Sequence, residues 1–64
     1  MNNRTSQFVK AHQVEEGDVV IIHGKPERIS SVGGIRDDTW LRFNDDASSV
    51  RFNNNELVER FDGL

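Results

Sequence analysis

Trp40, Arg42 and Arg51 are the residues whose types and spacing offer chemistry. They lie in TWLRFNDDASSVRFN, where two strand-like runs, Thr39 to Asn44 and Ser49 to Asn53, flank the turn residues DDAS. Pairing Asn44 with Ser49 sets Phe43 opposite Val50 and Leu41 opposite Phe52, an apolar face suited to a core. The same register puts Arg42 directly across from Arg51 on the other face, with Trp40 and Asn53 as the next pair. Opposed like charges cost about a few tenths of a kcal/mol or more, so a small protein has reason to avoid them. An indole flanked by guanidinium groups suits an anchor in a protein interface, or base stacking with phosphate contact. Arg36, in the adjacent loop VGGIRDDTW, joins this set. In the competing arrangement the arginines turn toward Asp37, Asp38, Asp45 or Asp46, and Trp40 packs over a barrel end, since tryptophan is highly buried on average.

Other groupings carry less chemistry. His12 and His23 lack metal-ligand spacing and need help from Glu16 or Asp18 to hold an ion, so they read as surface or rim residues. Glu15, Glu16 and Asp18 lack the regular oxygen spacing of a calcium loop and read as a solvated acidic turn. Ser30, Ser31, Ser48 and Ser49 have no evident base partner. Gly33-Gly34 lacks the frame of a phosphate loop and reads as a flexible loop. No catalytic residue, metal or cofactor is assigned.

The elements that must position these residues are short. Sixty-four residues make one domain with a small core. The chain has no cysteine, which rules out disulfides and thiolate zinc sites and fits a reducing compartment. Its longest apolar run, Val19 to Ile22, is far below the roughly 20 residues of a membrane span. MNNRTSQ has no apolar leader region. Eleven acidic and eight basic residues leave a net charge of −3, which argues against generic duplex binding.

Residues 1–6 are expected to be a flexible N-terminus and 7–64 a single domain. Gln7 to Gln13 reads as a first strand, followed by a turn at Glu15 to Gly17. Asp18 to His23 is a β-branched strand, with a tight turn at His23 to Pro26 where Gly24 is the permissive residue. Glu27 to Val32 returns, and its inward residues Ile29 and Val32 stand three apart, so a bulge is expected near Ser30 and Ser31. Gly33 and Gly34 open a loop to Asp38. ELVERF, 56–61, is a last strand or a helical turn, because Glu56 lies three residues after Asn53, as in a capping box. These elements predict an all-β protein, a small SH3-like antiparallel barrel of five to six short strands.

The stretch VEEGDVVIIHGKPERISSV, Val14 to Val32, resembles the first barrel of elongation factor P and related KOW-like, SH3-like domains. In those domains a Gly-Asp opens a strand, a Gly-x-Pro turn follows, and a Val/Ile pair ends the return strand. The resemblance covers under a third of the chain and implies a fold rather than a task. In that factor the loop after the return strand presents a lysine to a tRNA end. The corresponding loop here has no lysine, only Arg36 followed by two aspartates.

The expectation is therefore a non-enzymatic, cytoplasmic binding module for a protein partner, an accessory or regulatory protein of a bacterium or phage. Its site residues are Trp40, Arg42, Arg51 and Arg36. The alternative is a nucleic-acid barrel, for RNA or single-stranded DNA, in which Trp40 stacks on a base and the arginines hold phosphates. The chain is expected to be a monomer or a weak homodimer formed by edge pairing, through an exposed final strand or a half-closed barrel.

Overall fold

A computed structural model of the chain describes residues 6–61. The expected loose N-terminus falls outside this range except for Ser6, which opens the first strand. Six strands form one antiparallel sheet: β1 (Ser6–Lys10), β2 (Val19–Ile22), β3 (Lys25–Ile35), β4 (Asp38–Phe43), β5 (Ser48–Asn53) and β6 (Leu57–Phe61). The spatial order is β1-β6-β2-β3-β4-β5. The sheet is open rather than closed into a barrel, and among the described residues β1 and β5 are its two edges. Of residues 56–61, Leu57–Phe61 form strand β6, which lies between β1 and β2. It is thus an interior strand, not the exposed final strand expected for edge pairing.

The long strand β3 joins the two halves of the sheet. Its first part, Lys25 to Arg28, pairs with β2, and its second part, Ile29 to Ile35, pairs with β4. Two bulges meet at the change of partner. The register of β3 on β4 slips between Ile29 and Ser31, as the spacing of Ile29 and Val32 predicts. On the other side Gly17 and Asp18 together oppose Ile29: the Gly17 N–H donates to the Ile29 carbonyl (2.8 Å), and the Ile29 N–H donates to the Asp18 carbonyl (2.8 Å). Gly17, at φ 93°, supplies the left-handed residue that this type of bulge requires. Extra residues on both flanks bend the ribbon there, and Ile29 is buried at the bend.

Bending brings one face of both halves around a common core of Ala11, Val14, Val20, Ile22, Ile29, Leu41 and Val58, with Val9, Phe43, Val50 and Phe52 at its margin. The first strand ends sooner than expected, at Lys10, and Ala11–Gln13 form a 3-10 turn. That turn has three residues per repeat, so Ala11 and Val14 both point inward. The β2–β3 connection is a two-residue turn with His23 at φ 52° and Gly24 at φ 80°, the doubly left-handed form that matches strand twist. Pro26 already belongs to β3, opposite Ile21. Alternation of the ladder turns its missing N–H away from β2, where no strand needs it.

The expected loop at Gly33 and Gly34 is strand. Both residues pair with β4, Gly33 opposite Trp40 and Gly34 opposite Thr39. Backbone pairing across a hairpin here outweighs the weak strand preference of glycine. Val32 sits on the inner face by register but remains 39% exposed, because this end of the hairpin overhangs the core. No helix among the described residues is long and apolar enough to cross a membrane.

Candidate functional site

The β4–β5 hairpin sets the site, and its register differs from the expected one by two residues. Trp40 pairs with Arg51, Leu41 with Val50, Arg42 with Ser49 and Phe43 with Ser48. The turn is NDDA rather than DDAS. Asn44, Asp45 and Asp46 all take left-handed backbone angles, φ 58°, 55° and 67°. Asparagine and aspartate tolerate this region better than other side-chain-bearing residues, and serine gains less there. A shift of two preserves the faces: Trp40, Arg42 and Arg51 still share the outer one. It removes the direct opposition of Arg42 and Arg51, so the expected like-charge pair is replaced by Arg42 facing Ser49.

The turn is also held from β3. Ser30, the extra residue of the bulge, donates its hydroxyl to the Asp46 carboxylate (2.6 Å) and accepts the Asp46 N–H (3.1 Å). The Ser31 hydroxyl reaches the same carboxylate oxygen at 3.0 Å. These hydroxyls, Ser30 first, hold the Asp46 carboxyl below its ordinary value, and the Arg42 charge adds to the effect. Ser30 and Ser31 thus position the turn.

On the outer face the Arg51 guanidinium carbon lies 5.4 Å from the centre of the Trp40 ring. Its Nε is 3.6 Å from an Asp38 carboxylate oxygen. Trp40 is half-buried, neither core nor free, while Arg42 and Arg51 are exposed. Arg51 therefore pairs with an aspartate, as in the competing arrangement. Arg42 makes no direct ion pair with a described residue, but its charge acts on Asp46.

On its other side Trp40 faces Gly33, and beyond the glycine and its chain neighbours no described atom lies within 4 Å of the position a Gly33 Cβ would take. Where another residue would lay a side chain against the indole there is open space. A groove of about 410 Å³ follows the strands here, between Ser31 to Ile35 of β3 and Trp40 and Arg42 of β4. Ile35, 61% exposed, extends its apolar wall. The glycines that read as a loop are thus what opens the groove. Their position opposite Trp40 depends on a β3–β4 pairing that the sequence alone did not reveal.

Arg36 is not part of this groove. It sits in the β3–β4 turn at φ 57° and lines a second depression with His12 and Asn54, which shares Val32, Gly33 and Gly34 with the groove. Asn54 fastens that turn. Its N–H donates to the Asp37 carbonyl (2.7 Å), its amide nitrogen to the Arg36 carbonyl (3.3 Å), and its amide oxygen accepts the Thr39 hydroxyl (2.6 Å). The acidic turn at 15–18 is likewise structural, since the Asp18 carboxylate accepts the Glu15 N–H (2.9 Å). His12 and His23 are exposed and lie on the 3-10 turn and the β2–β3 turn.

No family model, curated protein or solved structure matches the chain.

Proposed function

We propose that this protein is a non-enzymatic binding module that engages a protein partner through the outer face of β3 and β4. The observation that carries this reading is the vacancy at Gly33, which leaves one side of the Trp40 indole open in a groove with an exposed apolar wall. Half-buried aromatic anchors next to a pocket are the usual centres of protein interfaces. Arg42 and Arg51 belong to the site, Arg42 as the cation at the groove and Arg51 as the residue that steadies the indole. Arg36 faces a different depression and is set aside as a contact for this partner. The protein-partner reading is favoured over a nucleic-acid one because Arg51 is engaged with Asp38, the chain is net acidic, and phosphate tracking needs several free cations on one face.

An SH3-like relationship belongs to the same reading. A long bent β3 shared between two halves, a bulge at the bend and one core supports it, as an open variant of the small barrel. A cytoplasmic accessory or regulatory role, of bacterial or phage origin, is part of the proposal.

The test is affinity capture from host lysate, with and without nuclease, using wild type, Gly33→Val and Trp40→Ala. A nuclease-resistant protein retained by wild type and lost with Gly33→Val supports the reading. Capture unaffected by Gly33→Val, in a variant that melts like wild type, overturns it.

A further inference from the structure

We infer that the groove recognises a short extended segment of a partner protein carrying an apolar and an acidic residue two positions apart. This rests on the protein-binding reading above and specifies its ligand. Trp40 and Arg42 are two residues apart on one strand and share its outer face, so their side chains are separated by about 6.8 Å along the strand. An extended peptide repeats its side chains on one face with the same step. The groove is lined by five consecutive residues of β3, Ser31 to Ile35, and therefore runs along the strands rather than across them. A peptide lying in it meets two different environments one step apart.

The first environment is apolar. The open space at Gly33, opposite Trp40, and the exposed Ile35 side chain accept an aliphatic side chain. The Trp40 indole N–H has no hydrogen-bond partner among the described residues and remains as a donor for a peptide carbonyl. The second environment is cationic. Arg42 is exposed and makes no direct ion pair with a described residue, although its charge acts on the neighbouring Asp46, whereas Arg51 already has Asp38 and the indole. Charge complementarity therefore selects a carboxylate at Arg42. It selects one acid rather than a run of them, because the acidic Asp45–Asp46 turn follows close after Arg42 in a chain of net charge −3.

The experiment titrates the isotope-labelled full chain with short capped peptides containing Leu-x-Glu, Glu-x-Leu, Leu-x-Lys or Leu-x-x-Glu in a serine-alanine background, followed by amide and indole shifts. Oligothymidylate serves as the nucleic-acid arm. The expected result is movement of Gly33, Gly34, Arg42 and the Trp40 indole resonance with one of the two acidic i+2 peptides. That peptide should bind about five- to tenfold more tightly than Leu-x-Lys. Gly33→Val, which adds bulk where a Cβ has open space, should abolish binding, and Arg42→Glu should invert the preference toward lysine. Equal binding of the glutamate and lysine peptides, equal binding of the i+2 and i+3 spacings, or shifts elsewhere would overturn the inference. Tighter binding of oligothymidylate at the same residues would also overturn it. If no peptide binds yet lysate capture remains sensitive to Gly33→Val, the partner-binding face stands and this motif fails. If capture is itself insensitive, both fail.

Discussion

Arg51 lies directly across from Trp40, with its guanidinium over the indole and its Nε beside Asp38. The two strands approach closely at this pair. Because Asn54 N–H bonds to Asp37, alternation of the ladder makes Trp40–Arg51 a non-hydrogen-bonded pair, the kind whose side chains are nearest. An exposed cation–π contact contributes about 0.5–1 kcal/mol. Arg51→Ala should therefore lower unfolding free energy by no more than about 1 kcal/mol while red-shifting Trp40 emission. A double-mutant cycle of Trp40→Leu with Arg51→Ala measures the coupling, and a coupling of zero would remove this contact from the account.

Thr39 is buried, and its hydroxyl donates to Asn54. Asn54→Ala leaves that hydroxyl and the Arg36 carbonyl without their partner and should cost about 1–3 kcal/mol in denaturant melts. Adding Thr39→Val should recover part of the loss, because an apolar group then fills the buried position. An Asn54→Ala variant as stable as wild type would mean that the turn is held elsewhere.

Asp46 is held below its ordinary value of 3.8 by Ser30, Ser31 and Arg42. A depressed carboxyl stabilises the fold above its unfolded pKa, and that contribution is lost as pH falls through the folded one. Stability should consequently decline below about pH 4, and Asp46→Asn or Ser30→Ala should flatten this acid limb. Melting curves between neutral pH and the acid limb check it. Unchanged acid limbs in both variants would place the titration elsewhere.

Glycines at two places should respond in opposite ways. Gly24, at φ 80° in the β2–β3 turn, should lose about 1 kcal/mol on replacement by alanine. Its neighbour His23 is at φ 52°, so His23→Asn should raise the melting temperature, as asparagine is favoured at this turn position. Gly33 lies in a strand with open space beside it, and Gly33→Val should leave stability unchanged or raise it. A strongly destabilised Gly33→Val would mean that the groove is not vacant.

The local chain determined a good deal by itself. The β-branched run Val19 to Ile22 and the left-handed pair His23-Gly24 specify the β2–β3 hairpin, because strand preference and turn geometry act over neighbouring residues. The three-residue spacing of Ile29 and Val32 specifies the bulge, since only an extra residue brings both to one side. The alternation around residues 40–43 and 50–52 places Trp40, Arg42 and Arg51 on one face, whichever even shift the register takes.

What tertiary structure decided lies in pairings between segments distant in sequence. The β4–β5 register depends on Asp46 meeting Ser30 and Ser31 across the bulge, and on relief of the arginine opposition. Gly33 and Gly34 become strand only because β4 supplies their hydrogen bonds. β6 enters between β1 and β2, closing off the edge that the order of elements along the chain suggests, and the sheet stays open because β1 and β5 do not meet. The groove exists because Gly33 falls opposite Trp40, a consequence of register that no single segment encodes.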